Sequence, residues 1–150
     1  MQLEHEFTYR AKLKQPLNVG AGPYGVRTVF EVIDGAVEGK RLNGTVLSGG
    51  ADWLLVGADG WGRLDVRAQF ATKDNAIIYV SYFGVMQMND AVQQAVLAGK
   101  GTEYTDQYFR TAPRLETGDP RYAWVNQSLF VAEGRFLEGP GVEYEVHRVA

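Results

Sequence analysis

The chain has 150 residues, 45% of them hydrophobic, and a formal net charge of −3. That length suits one domain over residues 1–150, long enough to bury a core without disulfide or metal staples. The absence of cysteine excludes disulfides, thiolate metal sites and a cysteine nucleophile. No basic face argues for nucleic acid or an anionic membrane surface.

No apolar run approaches the roughly 20 residues of a membrane helix. The opening MQLEHEFTYR has neither the basic nor the apolar region of a signal peptide. The expectation is a cytoplasmic protein.

In chain order, β-rich runs over 4–14, 26–33, 36–46, 51–56, 63–72, 76–85, 107–113, 122–132 and 142–149 are predicted strands. Between them lie turn signals at Asp34-Gly35, Asp59-Gly60, Lys73-Asp74-Asn75, Gly118-Asp119-Pro120 and Gly139-Pro140-Gly141. One helix interrupts the series, with Asn89 as its cap, Asp90 to Ala98 as its body and Gly99 as its stop. Val92 and Val96, one turn apart, are placed to plug a barrel end, and 100–106 reads as a polar loop. Eight or nine strands at this spacing predict an all-β fold: one closed or nearly closed antiparallel β-barrel with one short helix.

Side chains alternate between the two faces of a strand. Asp65 and Arg67 share a face, as do Tyr108 and Arg110, the set Tyr79, Ser81 and Phe83, and the run Tyr122, Trp124, Asn126, Ser128 and Phe130. Large aromatics mixed with single polar groups are what a small-molecule cavity uses. Trp53 reads as core, and Trp61 and Tyr24, on glycine-turn tips, as candidate homodimer contacts. The same charged residues have a structural reading too, as ion pairs that fix strand register.

Two other motifs lead elsewhere. Gly20-Ala21-Gly22-Pro23-Tyr24-Gly25 fits GxGxxG, but the strand-like VRTVFEV follows, where a dinucleotide site needs a helix. It reads as a hairpin turn. His5 and His147, the only histidines, meet if the terminal strands pair, but further ligands are not evident and no metal site is predicted.

The segments GTVLSGGADW (44–53), DGWGRLDVR (59–67), YFRTAPRLETGDPRYAWVNQSLFVAEG (108–134) and VEYEVHRV (142–149) resemble the DUF3237 family, also called UPF0311. GVRTVFEVIDGAVEGKRLNG (25–44) fits its opening pattern. The resemblance implies a single β-barrel domain in a family mostly without assigned activity. The positions matching its pattern include Gly50, Asp52, Trp53, Asp65, Arg67, Tyr108, Arg110, Pro113, Glu116, Trp124, Asn126 and Phe130. KDNA (73–76) departs mildly from it, with Asn75 standing where glycine is usual; asparagine tolerates the left-handed conformation.

The resulting expectation is a cofactor-independent enzyme acting by proton transfer, of isomerase, cyclase, hydratase or lyase type. Its substrate would be a small, partly apolar carbonyl or carboxylate compound. Asp52 or Asp65 would move the proton. Arg67 or Arg110, aided by Tyr79, would hold the oxyanion. Tyr108, Glu116, Trp124, Asn126 and Phe130 would line the pocket. The alternatives are a non-catalytic ligand-binding barrel and an assembly subunit. A titration separates the first two. A catalyst needs a carboxyl titrating well above about 4, whereas a binder holds its carboxylates ionised beside arginine.

Overall fold

The computed structural model describes residues 1–150. Its strands are β1 (Leu3–Leu13), β2 (Leu17–Gly22), β3 (Gly25–Gly39), β4 (Gly44–Val46), β5 (Ala51–Val56), β6 (Trp61–Thr72), β7 (Ile77–Gln87), β8 (Phe109–Glu116), β9 (Phe130–Leu137) and β10 (Gly141–Val149). The helix α1 covers Asp90–Ala98, and 3₁₀ segments cover Tyr104–Asp106 and Pro120–Gln127.

Every pairing is antiparallel, in the order β1, β10, β9, β8, β7, β6, β4, β3, and β3 pairs back to β1. The sheet therefore closes, and its principal edges vanish. β4 and β5 occupy one stave between β3 and β6, so the barrel has eight staves. β2 lies outside it as a hairpin on β3.

The interruption between β4 and β5 has a local cause. Val46 pairs with Phe70 and Ala51 with Arg67, so residues 47–50 bulge out of the ladder. Gly49 takes φ +97°, and a Cβ on Gly50 would lie 2.4 Å from the Arg67 carbonyl oxygen. Both positions thus require glycine. Bulges of this kind re-aim the side chain that follows. Here Ala51 follows, opposite Arg67, and the next residue, Asp52, pairs across the sheet with Phe30 and Val66 and shares their inward face.

Several predicted elements move. Asp34-Gly35 is no turn: β3 runs straight through it, and glycine is needed because a Cβ there would lie 1.9 Å from the Arg10 carbonyl oxygen of β1. The predicted strand 122–132 is instead the 3₁₀ segment Pro120–Gln127 followed by β9. Asp119 starts that segment by accepting a hydrogen bond from the Arg121 N–H, with Pro120 in its first turn. Residues 104–106 form a capped 3₁₀ turn within the predicted polar loop. Asn75 takes φ 71°, so the turn survives without glycine. Gly20–Gly25 lies in the β2–β3 hairpin. Pro113, which has no N–H to donate, sits beyond the last β8–β9 pair, Thr111 with Ala132.

The core fills the barrel. Phe7, Phe70, Phe109, Ile78, Val80 and Met86 are all essentially inaccessible, and each such side chain contributes about 1.5–3 kcal/mol by burial. As expected, α1 is capped by Asn89, whose side chain accepts from the Val92 N–H, and ends at Gly99 in the left-handed conformation. Val92 is buried, and Val96 packs on the core at the barrel end formed by Leu13 and Phe136. At the other end Val125 is buried and Trp124 meets Phe130 edge to face.

Candidate active site

Inside the barrel, below α1, lies a cavity of about 20 Å³, room for a single water. Of its eleven lining residues, Asp52 alone is charged or strongly polar; Phe30, Leu64, Phe109, Val96 and Tyr144 are among the others. As a residue Asp52 is half-buried. Its carboxyl nevertheless borders this apolar space, and those surroundings set its proton affinity. Burial pushes the carboxyl up to about 7. The Asp65 N–H, 3.1 Å from Asp52 Oδ1, and the more distant Arg27 oppose the shift, while the Asp65 charge adds to it. No cation forms an ion pair with it.

Beyond Asp52 the interior carries three buried tyrosines, Tyr9, Tyr82 and Tyr144. Tyr9 stacks on Tyr144 with centroids 5.3 Å apart, and Tyr82 meets Tyr144 edge on at 5.4 Å. The Tyr82 and Tyr9 hydroxyls are 3.5 Å apart. Burial raises all three phenols well above the ordinary value, Tyr9 to about 12, and the Asp52 charge adds to the rise at Tyr9 and Tyr144. They are therefore neutral hydrogen-bond donors at any working pH. A second cavity of about 10 Å³ touches all three and Thr111, whose buried hydroxyl has no partner.

An ionisable carboxyl near neutrality beside protonated phenols, in a low-dielectric interior, can accept a proton and stabilise the charge that develops. The interior thus joins one residue of the sequence-based set to three that it lacked. Each tyrosine sits inside an apolar alternation, as in Val80-Tyr82-Gly84 or Val142-Tyr144-Val146. That signal was available, since a buried tyrosine needs a use for its hydroxyl.

The other expected residues stand elsewhere. Asp65, Arg67 and Tyr79 project from the outer face of β6 and β7, along a groove of about 440 Å³. Tyr108 and Arg110 are also outside, with the guanidinium 5.0 Å from the Tyr108 ring and 3.7 Å from Glu133. Glu116 is exposed. Asn126 binds the backbone of Thr117 through both amide atoms and braces a turn. Trp124 caps the core under the Arg41 guanidinium, 3.6 Å away, and Phe130 is core. Trp53, read as core, is 37% exposed, whereas Trp61 is half-buried against Tyr108. For the residues on strands β5 to β8 the reason is common. Mixed aromatic and polar faces such as Tyr79-Ser81-Phe83 are the outside of the barrel, and the more apolar alternate faces fill it.

His5 and His147 do meet, as a register pair with ring centroids 5.3 Å apart. They lie on the outer seam of β1 and β10, where His5 bonds Glu145.

A family model described as "Protein of unknown function (DUF3237)" matches residues 1–149. The chain belongs to the DUF3237 family. A UPF0311 protein of Rhodopseudomonas palustris is 30% identical over 149 residues, covering 99% of this chain and 97% of that one. A UPF0311 protein of Clostridium acetobutylicum is 33% identical over 132 residues, 87% and 84% of the two chains. A crystal structure of an R. palustris protein, described as a conserved protein of unknown function, superposes with TM-score 0.90 at 31% identity, over 100% and 99% of the chains. At greater distance, a Penicillium herquei protein described as an enzyme shares the fold at 19% identity and TM-score 0.69. A Penicillium roqueforti protein named for a PR-toxin biosynthesis cluster is 28% identical over 133 residues, 82% of this chain and 67% of that one.

Proposed function

We propose that this DUF3237 barrel is an enzyme whose interior performs proton transfer on a small, largely apolar carbonyl compound. The observation that carries the reading is Asp52, a carboxyl held near pKa 7 by burial and without an arginine partner. A carboxyl raised in this way supports the catalytic reading over the binding one. The fungal relatives, one described as an enzyme and one named for a biosynthesis cluster, fit the same direction.

In the proposed reaction Asp52 takes a proton from a carbon next to the carbonyl. The electron pair moves onto the carbonyl oxygen, and a tyrosine hydroxyl donates to that oxygen. The proton then returns to carbon, at the same position for exchange or at a conjugated one for isomerisation. Atoms and charge balance within the chain's own groups.

A cavity of 20 Å³ holds no such substrate, so binding requires an opening. The element that can open is α1. It is not part of the strand ladder, it covers the cavity through Val96, and it is followed by Gly99 and Gly101.

The test is proton NMR in heavy water with a panel of small unsaturated and aromatic ketones. The wild type is expected to place deuterium in, or isomerise, at least one compound. Asp52→Asn should lower that rate about 10²–10⁴-fold with an unchanged fold. An equal rate in the variant refutes the assignment.

A further inference from the structure

The two sides of the barrel exterior treat their charges differently. On the β1, β9 and β10 side, charges are knitted together: Glu6 holds Arg41 and Arg148, and Glu143 holds Arg10 and Arg135. On the β6–β8 side, Asp65, Arg67, Arg114 and Glu116 form no ion pair. Nor does any side chain of these four take part in a side-chain hydrogen bond; only the Asp65 backbone N–H does.

These residues form an ordered grid. Asp65, Phe83 and Ala112 make one rung across β6, β7 and β8; Arg67, Ser81 and Arg114 make the next; Gln69, Tyr79 and Glu116 make the third. All lie on the outer face. Phe83 is 64% exposed, and it stands in the wall of the 440 Å³ groove with Asp65, Arg67 and Arg114. Apart from Arg67, whose guanidinium lies 5.9 Å from the Trp53 ring, these charges meet only solvent, and an exposed aromatic among charges of both signs free of ion pairs suits a contact surface.

The occupant can be read from the charge order. On β6 an acid precedes a base by two residues, and on β8 a base precedes an acid by two. In a two-fold dimer the same patch serves both copies. A two-fold axis lying across β6 between Asp65 and Arg67 sets the Asp65 of each copy against the Arg67 of the other. A simple anion fits less well, because Asp65 borders the same groove as the two arginines.

We infer that the outer face of β6–β8 is a self-complementary interface that joins two copies of this chain through Phe83 and reciprocal Asp65–Arg67 pairs. The surface faces away from the interior cavity, and Phe83 is not among the residues lining that cavity, so Phe83→Glu tests it apart from the proposed chemistry.

Light scattering and sedimentation of the purified chain test it. Wild type is expected to be a dimer at about 100 μM, and Phe83→Glu should weaken association at least about tenfold with unchanged circular dichroism. Asp65→Arg and Arg67→Asp should each weaken it, and the double variant Asp65→Arg/Arg67→Asp should restore it, because exchanging both charges keeps the patch self-complementary. A monomeric wild type, a dimer indifferent to Phe83→Glu, or a double variant no better than the singles overturns the inference.

Discussion

Asp52 and Asp65 are joined by a hydrogen bond and yet live in different media. Asp52 faces the barrel interior, where apolar neighbours and buried tyrosines make its charge costly. Asp65 faces outward over an open groove beside Arg67. A single wall of the barrel, β5 on β6, thus carries the proposed proton-transfer group on one side and the proposed contact surface on the other. The face a residue occupies, set by the bulge at 47–50, decides which chemistry an aspartate can do.

The largest effect that would sharpen this contrast is in pH-dependent stability. A carboxyl raised to about 7 when folded, against about 4 unfolded, binds more protons in the native state. Stability should therefore fall as pH rises from about 4 to 7, by at most on the order of 4 kcal/mol. Asp52→Asn should flatten that slope and be the more stable form at pH 8. Urea unfolding across pH measures it, and a wild type that stabilises steadily over the same interval as the variant does would break the contrast.

A second effect concerns access. The chain has no cysteine, so introduced thiols report without background. Met86 borders the cavity under α1, and Val80 borders the deeper one; both are 2% exposed. If α1 opens without global unfolding, Met86→Cys should react with a small thiol reagent about tenfold or more faster than Val80→Cys. Equal rates would mean that the interior opens only when the barrel unfolds.

The smallest effect belongs to the outer face. Arg67→Leu should leave turnover per folded chain unchanged and shift monomer stability by no more than about 0.5 kcal/mol, as thermal unfolding in dilute solution would record. A lost activity there would return Arg67 to the site.

Much of the architecture was legible because it rests on local rules. The cap at Asn89, the stop at Gly99 and the alternation in β6 and β7 are each written in a few neighbouring residues. Asp52 was legible too, as a carboxylate in an otherwise strand-like run. Which face is inside was harder. A pleated strand offers two faces, and the one mixing Tyr79, Ser81 and Phe83 looked like a ligand wall. Closure of the sheet decides this, by long-range pairings such as Tyr9 with Tyr144 that no local pattern contains. The segment 120–127 escaped for a different reason: the capping of Asp119 and Pro120 overrode an aromatic-rich stretch with strand propensity.

The most direct test of the account is a carbon-13 NMR titration of the aspartate side-chain carboxyls in the folded protein. The account predicts one aspartate with a midpoint near 7, missing from the spectrum of Asp52→Asn. A titration in which every aspartate, Asp52 included, ionises near 4 would contradict it.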